Sequence, residues 1–200
     1  NAIRSCFEWM GGKPRELVHP DLNKLIELKL PEPYKIRRES EPSDCKAWER
    51  IITESFKKKF SYSLMTDSKF YRPERVLFVT NENNVPIATA ASWDTDVFPA
   101  DCAVLHMVGV LPEYAGHHLG LHASLAAMKQ ARKEGFARMV LRTDDFRIPA
   151  IKIYLRLGFL PAIIHENQIR RWKIVLTNIN REDLMDTLPS TYDGTTIKTL

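Results

Sequence analysis

Three short apolar runs lie in the middle of the chain, at residues 76–80, 87–93 and 103–110. Each has the length of a strand and is bounded by polar or turn residues, which is typical of strands in a buried sheet. The sequence Asn81–Asn84 between the first two runs is turn chemistry. We therefore expect three consecutive strands here.

Helical spacing of apolar residues predicts two longer helices, over residues 44–56 and 121–134. Ser43 is the predicted N-cap of the first helix. Gly135 is expected to end the second helix.

Shorter elements follow from the same patterns. In chain order they are a helix over 21–30, a strand over 34–38, a short helix within 61–71, a strand over 138–143, a helix over 149–157 and a last strand over 169–176. Beyond residue 176 only 181–188 shows any periodicity. Strands followed by alternating strands and helices predict an α/β (α+β) fold, with a mixed sheet covered by helices on both faces.

Composition limits the classes of function. The chain has 200 residues, of which 44% are hydrophobic and 27% charged, as in a globular domain with a real core. The net charge of +4 suits an anionic ligand but is too small to indicate nucleic acid. Three cysteines, an odd number, favour the reducing cytoplasm. No apolar run reaches the length of about 18 residues expected of a membrane span, and no signal peptide is evident.

A glycine-bearing turn at residues 111–120 joins the third apolar run to the second predicted helix. A strand that feeds such a turn into a helix forms an anion site, because free backbone N–H groups and the positive end of the helix dipole meet there. A diphosphate is the natural occupant.

The turn reads Pro112-Glu-Tyr-Ala-Gly-His-His-Leu-Gly120. It resembles the pyrophosphate loop of the GNAT superfamily of acyl-CoA-dependent N-acetyltransferases, which often reads Pro-Glu-Tyr-Arg-Gly-x-Gly-x-Gly. Ala115 stands in place of the family's Arg, and His118 in place of its middle Gly. The first change removes a charged phosphate contact, and the second places a Cβ where the family prefers none.

A second segment, residues 147–159, resembles the family's Asn-x-x-Ala-x-x-x-Tyr-x-x-x-Gly-Phe motif. Ala150, Tyr154, Gly158 and Phe159 match, and Arg147 replaces the Asn. The likeness covers roughly residues 34–176. It implies a mostly antiparallel sheet with a splayed central strand pair, and acetyl-CoA as the cofactor.

The resemblance assigns three groups of residues to coenzyme A. They are Met107, Val108, Gly109 and Val110 on the strand; Ala115, Gly116, His117, His118, Leu119, Gly120 and Leu121 in the turn; and Arg147, Ala150 and Tyr154 in the second motif.

The resemblance also implies catalytic roles. Tyr154 matches the position that protonates the departing thiolate, a reaction open to a phenol of pKa about 10. His106 matches a histidine that acts as base or water relay in some members, and a pKa near 6.5 suits proton removal at neutral pH. The alternative for each is a buried side chain with a packing role.

Three residues near the end of the second apolar run are candidates for the acceptor site. Trp93 could wall a pocket, and Asp94 and Asp96 could orient or deprotonate a cationic amine; core packing and solvated loop carboxylates are the alternatives. His118 and His122 lack a third metal ligand, so no metal is expected. Cys102 fits core packing better than a nucleophilic role.

We therefore expect an N-acetyltransferase domain at residues 34–176, with extensions at 1–33 and 177–200. It would move an acetyl group from acetyl-CoA to a primary amine of a small molecule or peptide, directly within a ternary complex. The rival interpretation is a catalytically degenerate acyl-CoA-binding sensor. Neither nucleic acid nor membrane is an expected partner, and a homodimer is left open.

Overall fold

A computed structural model of the chain describes residues 15–191. Among these residues the chain forms two compact units, one of residues 21–139 and a second of residues 15–20 and 140–191. Seven strands and five α-helices occur in the described part of the chain, which confirms the mixed α/β fold. Four strand pairs among the described residues are antiparallel.

The larger unit is built around four strands. They are β2 (Lys35–Arg38), β3 (Val76–Thr80), β4 (Pro86–Trp93) and β5 (Cys102–Val110), paired in that order. Residues 87–93 of β4 are all buried, although successive side chains point to opposite faces. Both faces of this strand are therefore covered.

Helices supply that cover. They are α1 (Asp44–Phe56), α2 (Ser63–Thr66) and α3 (Leu119–Lys133). Helix α1 packs against β4 and β5, and α3 packs against β3, β4 and β5. Trp48 of α1 and Trp93 of β4 are among the largest fully buried side chains of this unit.

The smaller unit combines short strands with two helices. It contains β1 (Arg15–His19), most of β6 (Arg138–Thr143), α4 (Ile148–Arg156), β7 (Leu160–Ala162) and α5 (Asn167–Asn178). Strand β1 pairs with β7, with Leu17 opposite Pro161. Phe159 and Trp172 are fully buried here.

The predicted strand at 169–176 is wrong, because these residues lie within helix α5. The prediction rested on the apolar residues at 169, 172 and 174–176. The buried side chains are instead Gln168, Trp172, Val175 and Leu176, at helical spacing. Ile174 is 52% exposed, as that spacing requires.

The predicted helix at 21–30 is wrong beyond its first turn. Asp21 accepts a hydrogen bond from the Asn23 N–H and caps a single 3₁₀ turn, Leu22–Lys24. Leu25 is extended, and residues 25–30 form neither helix nor strand. Half-buried Leu28 and Leu30 then flank exposed Lys29, which is the two-residue period of extended chain.

The predicted cap of α1 is also corrected. Ser43 occupies the N-cap position but makes no side-chain cap hydrogen bond. Asp44 fixes the helix start instead, because its carboxylate accepts the N–H groups of Ser40 and Glu41 and a two-pronged ion pair from Arg37.

The ends of the remaining helices and strands lie within about two residues of the predicted ends. Strands β1 and β7 were not predicted. Of the predicted extensions, residues 1–14 and 192–200 lie outside the described residues. No helix in the described part of the chain combines the length and hydropathy that crossing a bilayer requires.

Candidate active site

Strand β5 carries a β-bulge at the residues predicted to face the cofactor. Thr89 of β4 lies opposite Gly109, whereas Ala91 lies opposite His106. Two residues of β5, Met107 and Val108, therefore lie opposite one residue of β4, Ala90. Met107 takes a φ of 49°, a conformation rare for a residue with a long side chain. Nothing in the sequence signals this bulge.

Helix α1 approaches the end of β5 closely. A Cβ on Gly109 would lie 2.9 Å from both Ile52 Cδ1 and Ser55 Oγ. The Ser55 hydroxyl lies 2.9 Å from both the backbone N and the backbone O of Val110. The Val110 N–H donates to this hydroxyl, whose single proton has two carbonyl oxygens within reach, Ile51 O at 2.6 Å and Val110 O at 2.9 Å. The sequence pattern did not mark Ser55 as a site residue.

The turn after β5 presents a run of donors. Among the described residues, the N–H groups of residues 116–120 donate to no backbone carbonyl. They precede or open α3, a 15-residue helix whose dipole places positive charge at this end. Residues 115–118 are exposed. These groups suit a phosphate or diphosphate.

His118 adopts the conformation that a glycine would supply. Its φ of 57° and ψ of 19° are left-handed, and its side chain makes no cap hydrogen bond. Gly116 also has a positive φ, 87°, and a Cβ there would meet nothing within 4 Å. The turn therefore keeps a glycine-type backbone path at 118 despite the substitution.

Side chains of the turn are tied to the surrounding elements of the larger unit. Glu113 forms an ion pair with Arg50 of α1 at 2.8 Å. The Asn81 side-chain amide donates to the Tyr114 hydroxyl. The Tyr34 hydroxyl lies 3.3 Å from Nδ1 of His117, and the two rings meet edge to face. These contacts attach the turn to Arg50, Asn81 and Tyr34 of the same unit.

His106 is buried, with 5% of its surface exposed. Its ring lies 5.3 Å from that of Trp93, which is itself fully buried. Burial lowers the pKa of His106 to about 4, because removal from water disfavours the imidazolium. The imidazole is therefore neutral at pH 7, and it titrates well below the neutral range expected from the sequence.

The two aspartates that follow β4, Asp94 and Asp96, each bind a nearby group of the protein. Asp94 accepts the N–H of Thr95 at 2.7 Å. Asp96 pairs with Lys69 at 2.6 Å, and both side chains are largely exposed. Of the three predicted acceptor-site residues, the structure brings only Trp93 into contact with His106.

Tyr154, Arg147 and Ala150 belong to the smaller unit, whereas the other predicted site residues belong to the larger one. Burial raises the pKa of Tyr154 to about 12, so its hydroxyl keeps its proton at neutral pH. Its ring packs edge to face on Phe159. Arg147 stands at the N-cap of α4 and pairs with Asp144. Ala150 is half-buried on the first turn of α4.

Comparison with known proteins identifies a family whose profile covers the turn and strand β5. The profile of the acetyltransferase (GNAT) family matches residues 34–159, more than half of the chain. A mycothiol acetyltransferase of Saccharopolyspora erythraea is 26% identical over 163 residues, which are 78% of this chain and 52% of that protein. The chain spans only 17–52% of the length of the curated relatives that it matches.

Solved structures show the same fold. A GCN5-related N-acetyltransferase from Sphaerobacter thermophilus superposes with a TM-score of 0.61 at 19% identity, over 80% of this chain and 52% of the other. A chain of the NatC complex bound to Gag peptide and CoA gives a TM-score of 0.55 at 15% identity, over 64% of this chain and 84% of the other.

Proposed function

The chain belongs to the GNAT family of acetyltransferases and is an acyltransferase, and we propose that it moves an acetyl group from acetyl-CoA to a primary amine. The observation that carries this proposal is the run of backbone donors at residues 116–120, which opens α3 within the matched region. Members of the family use acetyl-CoA, whose diphosphate is the anion that such a turn suits.

We assign the diphosphate to the turn from Ala115 to Leu121. The exposed side chains of His117 and His118 add donors beside the backbone N–H groups. On β5, we assign the pantetheine arm to the bulge at Met107, Val108 and Gly109. The N–H of Val110 donates to Ser55, so we expect Val110 to contribute less than the sequence implied.

Acetyl-CoA supplies an activated thioester. The amine nitrogen forms a bond to the acetyl carbon while the bond from carbon to sulfur breaks. Tyr154 is protonated at neutral pH, so we assign it the proton given to the departing sulfur. His106 is neutral there, so it can accept the proton that the amine loses, directly or through water.

The acceptor is proposed as an amine of a small molecule or a peptide. One relative is a mycothiol acetyltransferase and one structural neighbour is bound to a peptide, so both classes belong in the test. We retain residues 34–176 as the catalytic domain, and a cytoplasmic location, as proposals.

The rival function is an acyl-CoA-binding sensor without turnover. The changes at Ala115 and His118 favour it, since both depart from the family's loop. Catalysis separates the two functions, because both require the cofactor to bind.

Binding is tested by thermal unfolding with and without acetyl-CoA. A ligand at about 100 times its Kd adds roughly 2.7 kcal/mol to stability. Ala115→Glu places a negative charge in the turn at an exposed residue and should abolish most of this stabilisation. Asn83→Glu, an exposed change in the turn between β3 and β4, is the matched control and should retain it. Equal stabilisation of both variants would overturn the assigned site.

Turnover is tested by release of free CoA thiol with panels of small amines and peptides. Tyr154→Phe removes one hydroxyl and should lower the rate by about 10²–10⁴-fold while acetyl-CoA binding stays within a few-fold. Acetyl-CoA binding with no thiol release on any amine would support the sensor instead. Full activity of Tyr154→Phe would return Tyr154 to a packing role.

A further inference from the structure

A groove of about 370 Å³ lies within the larger unit, between helix α3, strands β2 and β3 and the segment 25–30. This volume falls in the range of small-ligand pockets, about 300–1,000 Å³. Its walls include six apolar side chains: Leu28, Leu30, Ile36, Leu77, Leu125 and Ala126. It is not lined by any residue assigned to the cofactor.

The apolar lining is partly open to water. Ile36 is 41% exposed, and Leu28, Leu30 and Ala126 are half-buried. One helix, two strands and one loop segment line the groove, so it can bury a slender apolar chain on several sides. Apolar surface gathered in a concave site marks a place for an apolar ligand.

Four cations surround this lining, and they fall into two kinds. Arg37 is paired with Asp44, and Lys129 with Glu27. Arg38 and Lys133 also line the groove, and within residues 15–191 neither has an ion-pair partner. The groove therefore joins an apolar interior to two cations that are not engaged in an ion pair with any described residue.

We propose that this groove binds a single-chain anionic amphiphile, a free medium-chain fatty carboxylate. The hydrocarbon chain lies on Leu28, Leu77 and Leu125, and the carboxylate meets Arg38 and Lys133 at the rim. A guanidinium and an ammonium are the groups that recognise a carboxylate. The site lies outside the proposed transfer site, so it does not depend on the proposed function.

The test is titration calorimetry of the full chain with octanoate, decanoate and dodecanoate below their micelle concentrations. One molecule should bind per chain, and affinity should rise about fourfold per added methylene until the groove is full. Decylammonium, with the same chain and the opposite charge, should bind at least tenfold more weakly than decanoate.

Variants distinguish binding of decanoate in the groove from non-specific adsorption to the protein. Lys133→Glu should weaken decanoate binding at least tenfold, whereas Lys152→Glu, the same charge change at an exposed residue of α4, should not. Ala126→Trp fills the groove and should also abolish binding; far-ultraviolet circular dichroism checks that each variant is folded. Equal binding of decanoate and decylammonium, or decanoate binding that survives both groove variants, would overturn the proposal. Occupation by an acidic peptide in place of decanoate would overturn it as well.

Discussion

Replacing His118 by glycine should stabilise the protein, although it removes a whole side chain. The residue has a φ of 57°, and the left-handed conformation costs a non-glycine residue roughly 1–2 kcal/mol. Its side chain is exposed and caps nothing, so little is lost with it. Glycine also adds backbone freedom to the unfolded chain, and this cancels about 0.5–1 kcal/mol of the stability gained by relieving the left-handed strain. The expected net gain is about 0.5–1 kcal/mol.

Two neighbouring residues provide controls in the same turn. Ala115 has an ordinary backbone, φ −62° and ψ 148°, so Ala115→Gly should destabilise by about 0.4–1 kcal/mol. Gly116 has a φ of 87° and open space around it, so Gly116→Ala should destabilise by about 1–2 kcal/mol through the backbone alone.

Thermal and urea unfolding measure all three variants. In a chain of this size, 1 kcal/mol moves the Tm by about 2–4 °C. His118→Gly should therefore raise the Tm by about 1–4 °C, while the other two lower it. If His118→Gly and Ala115→Gly lowered stability by the same amount, the left-handed assignment at 118 would be wrong.

Three further outcomes follow from the larger unit. Because the folded pKa of His106 is about 4, below the reference of about 6.5, the unfolded chain binds more protons between these values. Stability should fall by roughly 2 kcal/mol from pH 7 to pH 5 on account of this group, and His106→Leu should show a flatter urea-unfolding profile over that range. Gly109→Ala should cost about 1–3 kcal/mol, since its Cβ would overlap Ile52 and Ser55; a neutral result in urea unfolding would contradict the close packing. Ser55→Ala should cost about 1–3 kcal/mol because it strips Val110 of its partner, and an equal effect of Ser63→Ala, a change at an exposed hydroxyl, would contradict that assignment.

The strands of the larger unit were predictable because their hydrophobic pattern is strong and local. Strands β3, β4 and β5 are apolar runs bounded by turn residues, and the structure places their ends within one residue of the predicted ones. The turn was predictable for a different reason. Its residue types match a family motif, and the family's profile matches the same region.

Strand β1 could not be predicted, because its first two residues are charged and yet fully buried. Arg15 pairs with Asp145, and Glu16 pairs with Arg142. These partners are more than 120 residues away along the chain. A pattern of hydrophobic positions carries no information about such tertiary pairing, so the sequence placed these residues in an N-terminal extension and predicted no strand there.

The candidate site also combines features that the sequence predicts with features that depend on tertiary contacts. The turn at 111–120 was visible as a motif, but the bulge at Met107 depends on the register between β4 and β5. The role of Ser55 depends on the packing of α1 onto Gly109. Both arise from how elements meet, and neither has a signature in the residue types.

Burial widens the pH range over which the proposed base is neutral and the proposed acid is protonated, and at Tyr154 it outweighs the opposing effect of Arg147 on the pKa. Removal from water disfavours whichever form is charged, so it lowers the pKa of His106 to about 4 and raises that of Tyr154 to about 12. Between these limits the imidazole can accept a proton and the phenol can donate one. These two groups should therefore leave the rate nearly flat from pH 6 to pH 9, and any rise in that range should follow the pKa of the amine acceptor. Measuring kcat/KM with two amines of different pKa tests this: the rise should move with the amine. A rise fixed near pH 6.5 for both amines, and lost in His106→Ala, would show that His106 titrates near neutrality in the working enzyme and that burial does not lower its pKa there.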